Sequence, residues 1–434
     1  MDTTVIEEVR LTAFKSFRDA VLPLDELTLL VGRNGSGKSN ALDGLWVLAR
    51  LAQGEDIRDA LDGGREGPAV RGGAAGCAPF GESAFSLGCT VRTGETRVHL
   101  DVTVQVDPVV QVVAERLQAE GRDLVLTDPP TRDSSDIVAG WDNRKQGSNP
   151  KLSFRAGRLL APQILSRVPA TTAGRQIHLA AAQVLSALRS VFVLDPVPHQ
   201  MRRFVPRRDV LLRRTADNVS AAVASLLADP DRKVELCRAL GRLNEQEIVD
   251  LRISRSDLDD VMLTLTERFA GHEQPVPARV MSDGSLRFLA ILVALLQAPT
   301  VETMPEPLAS DDAVGQTTLV IEELENGLHA SQAQLLIGLV REEVTRRRVR
   351  ALATAHSPAL LDALSGDEHR SVVVCQRDPD GHSVLHRLVD LPNYVDVVTG
   401  GGLGRSAEDD KLRWREGPSQ SPSEALAEIF RSAG

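Results

Sequence analysis

Hydrophobic and polar positions near the N-terminus predict two strands, a buried strand and a helix in close succession. Residues 5–14 mix apolar and polar positions and residues 20–24 form a short run, both typical of strands. Residues 27–31 (LTLLV) are apolar except for Thr28, which indicates a buried strand. From Lys38 to about Gln53 apolar residues recur at helical spacing, directly after a glycine-rich turn. Strand, glycine turn and helix together form the layout of a nucleotide-binding α/β unit.

The middle of the chain alternates between polar loops and periodic segments. Eight glycines without sustained periodicity predict a mobile loop over residues 54–82. Strict alternation of apolar and polar residues predicts a half-buried strand over 97–106. The other predictions are loops at 127–151 and 297–316, helices at 177–190 and 220–228, and more helical pattern between 231 and 270.

The C-terminal third repeats the alternation of strands and helices. It predicts a strand at 317–321, a helix at about 330–345, a strand at 350–355 and a short helix. A hairpin is expected from 371–376 and 383–388, joined by the turn Asp378-Pro379-Asp380-Gly381. The tail after Ser406 is charged and contains Ser and Pro, so it is expected to be partly disordered.

Composition narrows the class of protein. The 434 residues leave room for about two or three domains. The net charge of −10 argues against a protein that coats nucleic acid with its whole surface, and 3% aromatic residues disfavour base-stacking platforms. No apolar stretch approaches the roughly 18 residues of a membrane span, and the N-terminus lacks the features of a signal peptide, so a cytoplasmic protein is expected. The four cysteines lie far apart, which is typical of idle thiols in a reducing compartment.

Residues 32–39 match the P-loop pattern, with both glycines, the lysine and the serine in register. Glycines let the backbone fold so that its N–H groups converge on phosphate oxygens, and the following helix points its positive end at the same anion. Lys38 adds a charge for the β- and γ-phosphates, and the Ser39 hydroxyl can ligate Mg²⁺. The alternative is a plain glycine-rich turn. The expected nucleotide-binding residues here are Arg33, Asn34, Gly35, Ser36, Gly37, Lys38, Ser39 and Asn40.

A second acidic element follows the strand at 317–321. Glu322 and Glu323 stand at the end of this apolar strand. A carboxylate at a strand end can hold Mg²⁺ directly or through water, and the next one can polarise the attacking water. We therefore assign Glu322 to the metal and Glu323 to the water. The alternative is two surface glutamates at the start of a helix, which is an ordinary preference.

One further helix start and one further strand end could contact an anion. Ser282-Asp283-Gly284-Ser285-Leu286-Arg287 opens an apolar helix with a good N-cap, and such a helix end also binds anions. His356 stands just past the strand at 350–355. Taken alone, His356 would be interpreted as a capping or core histidine.

These four elements, in this order, resemble ABC-type ATPase heads, and more closely their RecF/OLD/SMC-like branch. Residues 282–287 look like the signature motif, residues 322–329 (EELENGLH) resemble the "EEPE-glHP" Walker B and D-loop, and His356-Ser357-Pro358 is similar to the switch. The opening Phe14-Lys15-Ser16-Phe17 is also similar to that branch. The resemblance covers roughly residues 1–106 and 270–400.

The resemblance implies an α/β P-loop NTPase fold with a mixed N-terminal sheet and a helical insertion lobe. The expected organisation is an N-terminal part of the head (1–106), an insertion (107–269), a C-terminal part of the head (270–400) and a tail (401–434). The sequence departs from the family pattern where Glu322 replaces the commoner Asp and where Leu324 and Ala330 replace prolines. A Q-loop glutamine is not evident, and Gln163 is a candidate.

The number of residues between the motifs distinguishes the subtypes of ABC-type ATPase. Lys38 and Ser282 lie 282 − 38 = 244 residues apart, far more than in transporter ATPases, so the chain holds a large insertion and a transporter subunit is disfavoured. The sequence contains no run of heptads, so a long coiled coil is not predicted. Only 434 − 356 = 78 residues follow His356, and the Asp378–Asp380 letters belong to a hairpin turn, so a Toprim nuclease is not expected.

The resemblance also implies a mechanism. Two heads sandwich two ATP molecules as a homodimer. Ser282 and Gly284 of one chain then cap the γ-phosphate that Lys38 of the other chain holds, and His356 contacts the same phosphate. ATP and Mg²⁺ are the expected cofactors, and a monomer should be nearly inactive.

Basic clusters leave two function classes open. One is an ATPase of DNA metabolism, repair or anti-phage defence. The alternative is an ATP-dependent regulatory or scaffold module that controls a separate effector, such as a nuclease, with little direct DNA contact. The arginines could contact DNA or form a solvated helix face or a surface for a partner protein. They are Arg202, Arg203, Arg207, Arg208, Arg213 and Arg214 in one cluster, and Arg346, Arg347, Arg348 and Arg350 in the other.

Overall fold

A computed structural model of the protein describes residues 3–64, 69–130, 134–243, 247–298, 314–399, 402–409 and 411–414. Within these ranges the strands, in chain order, are β1 (Thr3–Phe14), β2 (Phe17–Pro23), β3 (Leu27–Val31), β4 (Ala84–Thr93), β5 (Thr96–Gln105), β6 (Gln111–Ala119), β7 (Arg122–Thr127), β8 (Asp136–Trp141), β9 (Lys151–Arg155), β10 (Val191–Leu194), β11 (Val205–Pro206), β12 (Glu247–Arg255), β13 (Asp260–Phe269), β14 (His272–Pro277), β15 (Val314–Gly315), β16 (Thr318–Ile321), β17 (Arg350–Ala355), β18 (Val372–Arg377) and β19 (Ser383–Arg387). The α-helices are α1 (Lys38–Leu51), α2 (Ile57–Asp62), α3 (Ala161–Arg167), α4 (Thr172–Arg189), α5 (Pro198–Met201), α6 (Val219–Leu226), α7 (Pro230–Leu243), α8 (Asp283–Gln297), α9 (Ala330–Arg347), α10 (Pro358–Asp362), α11 (Tyr394–Thr399) and α12 (Leu403–Glu408).

The chain divides into two compact units. The first unit holds the described residues up to Val191, residues 314–318 and the segment Arg370–Leu391. The second unit holds the described residues between Phe192 and 298, the segment Leu319–His369, and the described residues from Pro392 onward. Each unit therefore gathers segments that lie far apart in sequence.

A mixed sheet forms the first unit. Its strands lie in the order β3-β18-β19-β2-β1-β4-β5-β6-β7-β8-β9. Most neighbours are antiparallel, whereas β18 runs parallel to β3, β19 to β2, and β15 to β1. Helix α4 covers part of this sheet with a stripe at helical spacing that includes Ile177, Val184 and Leu188, all buried. The mixed N-terminal sheet expected from the sequence is confirmed.

The strand–glycine–helix start is also confirmed. Strand β3 buries Leu29, Leu30 and Val31, and α1 begins at Lys38. In α1 most side chains are buried, among them Leu45 and Leu48 at 0% exposure, so this helix is a core element rather than a surface one.

Two loop predictions in the first unit are wrong in part. Helix α2 forms within 54–82, where Asp56 caps it by accepting the Arg58 N–H. Strand β8 forms within 127–151 and buries Ile137, Ala139 and Trp141. Strand β8 is only six residues long and lies among Asp, Gly and Asn residues, so its pairing with β7 and β9, rather than the local pattern, decides its conformation.

The second unit combines helices with two groups of strands. Strands β10, β16 and β17 lie side by side, and β11, β12, β13 and β14 form a separate sheet. Helix α8 is apolar on nearly all sides and packs against α5, α6, α7 and α9. Helix α6 packs on β13, where Ala221, Val205 and Val261 form one small cluster.

The helical pattern expected between 231 and 270 is correct only for α7. Residues 247–269 form β12 and β13, which pair in antiparallel register, for example Leu251 with Leu265. Strand β13 buries six consecutive residues, Val261 to Thr266, and a short apolar run of this kind does not distinguish strand from helix. The described part of residues 107–269, where the sequence predicts a helical insertion, therefore holds strands as well as helices.

Of the remaining predictions near the C-terminus, some are confirmed and others lie outside the described residues. The strands at 318–321 and 350–355, the helix α9 and the hairpin β18–β19 are confirmed. The loop prediction at 297–316 and the tail prediction fall largely outside the described residues. None of the helices in the described part of the chain is long and apolar enough to cross a bilayer.

Candidate functional site

The P-loop backbone takes conformations that favour glycine at three positions. Gly32, Gly35 and Gly37 have φ of 149°, 78° and 119°. A Cβ at Gly32 would stand 2.2 Å from the Cys375 carbonyl oxygen, and one at Gly37 would stand 2.2 Å from Ser383 Oγ. Two of the three glycines are therefore required by close packing as well as by φ.

The lysine of the P-loop is held over the loop itself. Lys38 Nζ donates to the carbonyl oxygens of Gly32 at 2.7 Å and Arg33 at 2.9 Å, and Lys38 is only 6% exposed. Helix α1 begins at the same residue, and its N-cap Gly37 supplies no side-chain cap. The first-turn N–H groups and the ammonium thus stand together where an anion binds at a helix N-terminus.

A support for the P-loop that the sequence did not predict comes from the β18–β19 hairpin. Ser383 Oγ donates to the Ser36 carbonyl at 2.5 Å and lies 2.8 Å from Ser16 Oγ. Cys375 Sγ reaches the same carbonyl at 3.4 Å, and Asn40 Nδ2 donates to Ser16 Oγ at 2.8 Å. Burial raises the pKa of the Cys375 thiol to about 11, so it acts here as a neutral donor.

The same hairpin also reaches the tip of the loop. Arg377 Nε donates to the Gly35 carbonyl at 3.0 Å. The hairpin was predicted from its turn, but its contact with the P-loop depends on the parallel pairing of β18 with β3, over 340 residues away in sequence. No local signal in the sequence indicates that pairing.

A buried carboxylate anchors the first strands to helix α1. Asp43 in α1 is 2% exposed and accepts from Lys15 Nζ at 2.7 Å and Arg71 Nη2 at 2.9 Å. Arg71 also donates to the Ser39 carbonyl at 3.2 Å. Lys15 is the basic residue of the opening Phe-Lys-Ser-Phe, and its contact is thus to the helix that carries the P-loop lysine.

The acidic strand end has an unusual backbone. Strand β16 ends at Ile321, and Glu323 adopts φ of 53°, which is uncommon for a residue other than glycine. The Glu323 N–H donates to Thr354 Oγ1 at 2.7 Å, and Asn326 Nδ2 donates to Glu323 Oε2 at 2.7 Å. The turn therefore exposes the Glu323 carboxylate while its backbone and one oxygen are fixed.

The helix start at Ser282 packs against the loop that follows Glu323. Ser282 Oγ accepts the Ser285 N–H at 3.0 Å and caps α8. Gly284 approaches that loop so closely that a Cβ would stand 2.3 Å from the Gly327 carbonyl oxygen. Only a glycine fits at this contact.

The candidate switch residue, His356, is hydrogen-bonded to the same loop. His356 follows β17, and its N–H donates to Glu325 Oε1, as does the Ser357 N–H at 2.7 Å. Residues separated by more than 70 positions in sequence, from Ser282 to His356, thus belong to one connected set of contacts in the second unit. The P-loop residues belong to the first unit.

Several arginines proposed for DNA are engaged elsewhere. Arg202 donates to the Met281 carbonyl at 2.8 Å and to Asp283 at 2.5 Å, beside the helix start. Arg347 is 5% exposed and pairs with Glu343 at 2.7 Å. Arg213, Arg214 and Arg346 form ion pairs with Asp209, Asp217, Asp195, Glu235 and Glu343. These side chains are committed to intramolecular pairs, whereas Arg203, Arg207 and Arg208 are exposed.

The candidate Q-loop glutamine has local partners. Gln163 accepts the Arg155 N–H at 3.0 Å and donates to the carbonyls of Arg155 and Leu159, both at 3.0 Å. Its amide therefore closes the turn between β9 and α3.

The donor groups fit ATP and Mg²⁺. A Cβ at Gly35 would meet nothing within 4 Å, so there is open space beside the loop tip. Glycine N–H groups with a buried lysine are the groups that bind phosphates. Ser39 would offer a hydroxyl and Glu322 a carboxylate, and both are the hard oxygen ligands that Mg²⁺ takes.

Two family models match separate stretches of the chain. Residues 5–65 match an AAA ATPase domain. Residues 171–362 match a model described as an AAA domain, putative AbiEii toxin, type IV TA system. Both stretches of the chain are therefore similar to AAA ATPase domains. The first stretch contains the P-loop, and the second contains the signature-like helix start, the acidic strand end and His356. The ATPase head expected from the four motifs, with its mixed α/β P-loop fold, is confirmed.

Solved structures that are similar to this chain include SMC head domains and RecF. The SMC head domain from Thermotoga maritima is 13% identical, with a TM-score of 0.41 over 88% of this chain and 98% of that one. The SMC head bound to the C-terminal winged-helix domain of ScpA is 15% identical, with a TM-score of 0.45 over 88% and 97%. The recombination mediator protein RecF of the RecFOR pathway is 12% identical, with a TM-score of 0.36 over 89% and 99%. No curated protein matches the chain in sequence.

Proposed function

We propose that this protein binds and hydrolyses ATP with Mg²⁺ and closes as a homodimer around two ATP molecules. The observation that carries the proposal is the loop after β16, since it contacts both the helix that begins at Ser282 and the backbone of His356. The same loop carries Glu323, and a residue that orients the attacking water is one of the groups that hydrolysis of a γ-phosphate requires in addition to a P-loop.

Each group has a defined role in this proposal. The P-loop and Lys38 hold the β- and γ-phosphates, and Ser39 and Glu322 hold the metal. Glu323 orients the attacking water and accepts its proton, and His356 contacts the γ-phosphate. Asn326 supports this role of Glu323, because its hydrogen bond to Oε2 restricts the rotation of the carboxylate.

Dimerisation completes the site. A helix N-terminus offers an anion only one face, so the start of α8, with Ser282 and Gly284, would close the cage around the phosphate that the partner's P-loop holds. Loss of the γ-phosphate then removes the charge that bridges the two halves and lets them open. A single chain should therefore turn over slowly.

The exposed arginines support a role on DNA. Arg203, Arg207 and Arg208 lie within six residues and project from the second unit as exposed side chains. Clustered exposed arginines bind the phosphate backbone without reading sequence. We place the protein in the cytoplasm, in DNA metabolism, repair or anti-phage defence.

One observation favours the alternative, a regulatory module that controls a separate effector. Arg202, Arg213, Arg214, Arg346 and Arg347 are engaged in ion pairs, so much of the basic charge counted in the sequence is neutralised within the chain. A surface with less free positive charge attracts DNA less strongly.

Hydrolysis measured against protein concentration tests the ATPase proposal. The rate per chain should rise with concentration in the wild type, and Glu323→Gln should reduce it by at least about 100-fold, because the base is lost while length and shape are kept. Glu120→Gln is a matched control, since Glu120 is also an exposed glutamate with positive φ (51°), in the β6–β7 turn. Turnover that survives in Glu323→Gln contradicts the assignment, and a rate per chain independent of concentration contradicts the dimer.

Duplex DNA separates the two function classes. Stimulation of the wild type that is lost in Arg207→Glu/Arg208→Glu, with basal turnover intact, supports the role on DNA. No stimulation at low salt, where phosphate contacts are strongest, supports the regulatory module.

A further inference from the structure

We infer that Glu325 is a positioning residue: it fixes the backbone that carries His356 and couples it to the start of helix α8. The inference rests on the proposed ATPase function and concerns a residue outside the P-loop, the metal site and the base. Glu325 stands in the loop between β16 and α9, two residues after Glu323.

The contact joins one carboxylate to two consecutive N–H groups. Glu325 Oε1 accepts from His356 N–H and from Ser357 N–H, the latter at 2.7 Å. Hydrogen bonds from N–H groups to a carboxylate are stronger than neutral ones, so this pair holds the two residues firmly. Glu325 lies 31 residues from His356 in sequence, so the loop conformation is required to make the contact.

Helix capping alone does not explain this contact. Helix α10 already has an N-cap, because Ser357 Oγ accepts the Leu360 N–H. The Glu325 carboxylate instead binds the N–H groups of the two residues that precede the helix, and one of them is the proposed switch residue.

The second carboxylate oxygen of Glu325 indicates that the contact is maintained at a cost in free energy. Glu325 Oε2 is buried and has no hydrogen-bond partner among the described residues. A buried acceptor without a partner loses its hydration and gains nothing in return. A shorter apolar side chain would avoid this cost if the residue only filled space, so the arrangement suits a positional role.

The loop that carries Glu325 is anchored at both ends. At its start, Glu323 N–H donates to Thr354 Oγ1 at 2.7 Å and Leu324 N–H donates to the Thr354 carbonyl at 3.0 Å. At its end, the Gly327 carbonyl packs directly on Gly284 at the start of α8. A displacement of α8, as expected when a partner's phosphate reaches Ser282, is therefore passed through this short loop to the backbone of His356.

Loss of the Glu325 contact should lower the rate of ATP turnover more than the affinity for ATP. An imidazole that contacts a γ-phosphate must be held to within about 0.5 Å for efficient chemistry. Without Glu325 the two N–H groups lose their acceptor, and His356 samples other positions. The P-loop, which supplies most of the phosphate contacts, is unaffected.

A double-mutant cycle tests the coupling. Glu325→Ala should lower kcat about 10- to 100-fold, as misplacement of a catalytic group by about 1 Å does, with KM for ATP changed less than about threefold. Glu325→Gln should retain part of the activity, because its amide oxygen still accepts. In a His356→Ala background Glu325→Ala should have little further effect, since residues that act through one another are not additive. Full additivity of the two substitutions would overturn the inference.

Glu368→Ala is the matched control. Glu368 is also half-buried, lies in the second unit, and accepts a backbone N–H, from Ser365 at 2.7 Å. It should leave kcat within about twofold, because surface substitutions away from the site are usually tolerated. An equal loss in Glu368→Ala and Glu325→Ala would mean that the effect is general destabilisation, and would count against the inference.

Amide hydrogen exchange gives a readout that does not need turnover. Peptides covering residues 354–362 should exchange faster in Glu325→Ala than in the wild type, whereas Glu368→Ala should leave them unchanged. If the wild type does not hydrolyse ATP, the proposed function fails, but exchange still decides the positioning. Unchanged exchange over 354–362 would refute it in either case.

Discussion

Replacing Gly284 by alanine tests the close approach between helix α8 and the loop after Glu323. Gly284 is the second residue of α8, and its φ is not positive, so the backbone itself tolerates a side chain. In an open helical position, glycine to alanine stabilises a protein by about 0.5–1 kcal/mol. At Gly284 the added methyl would stand 2.3 Å from the Gly327 carbonyl oxygen and 3.1 Å from Leu328 Cδ2.

The two effects oppose each other, and their magnitudes decide the sign. A carbon–oxygen contact of 2.3 Å must open by roughly 1 Å to reach ordinary packing. The neighbouring atom is a backbone carbonyl, so it cannot rotate away as a side chain would. Overpacking of this kind costs about 1–3 kcal/mol. The expected net change is a destabilisation of about 0.5–2 kcal/mol, accompanied by displacement of the Glu325 loop and at least a tenfold loss of ATP turnover.

Chemical denaturation followed by circular dichroism measures the change, with Gly338→Ala as the matched control. Gly338 lies inside α9, in the same unit, and a Cβ there would meet nothing within 4 Å. Gly338→Ala should therefore stabilise the protein by about 0.5–1 kcal/mol. Opposite signs for the two variants support the described packing. Equal stabilisation by both, with turnover intact, would refute it.

Three further outcomes can be measured on the same protein. In native protein near pH 8, half-buried Cys237 should react faster with a thiol reagent than the other three cysteines, because those three are buried and the reagent cannot reach them. Burial raises the pKa of all four thiols, so accessibility decides the difference; equally fast reaction of several thiols would contradict this. Burial raises the pKa of Glu115, in β6, to about 8, so its contribution to stability is complete below about pH 4.5 and is lost as pH rises through about 8. The denaturation midpoint of the wild type, measured relative to that of Glu115→Gln, should therefore fall between these pH values. A difference that stays constant would argue against it. Gly37→Ala, with φ of 119° and its Cβ 2.2 Å from Ser383 Oγ, should weaken binding of a fluorescent ATP analogue at least tenfold, and unchanged affinity would mean that the loop adapts.

The candidate nucleotide-binding loop could be predicted from the sequence because its chemistry is local. The P-loop is eight consecutive residues whose function depends on backbone freedom, one lysine and one serine, so its pattern survives without knowledge of any distant contact. The strand before it and the helix after it follow from apolar periodicity alone. The same holds for β16 with its two glutamates and for the capped start of α8.

Local sequence patterns could not predict which distant segments pair with each other. Strand β8 is a short alternation inside a polar stretch, and β13 is an apolar run as compatible with a helix as with a strand, so only their partners decide them. The ion pairs of Arg202 and Arg347 likewise depend on acids placed nearby by the fold. An arginine cluster in a sequence therefore overstates the free charge of the surface.

The sequence by itself determined the P-loop pattern of this protein, because phosphate binding needs a short, contiguous pattern. Only the tertiary structure decided what holds that pattern in place. Ser383 and Cys375 reach Ser36 from a hairpin more than 300 residues away, and Glu325 reaches His356 across a strand and a helix. Such contacts have no local signature, since a hydrogen bond between backbone and side chain constrains the identity of one residue at most, while its geometry is fixed by the packing of whole elements.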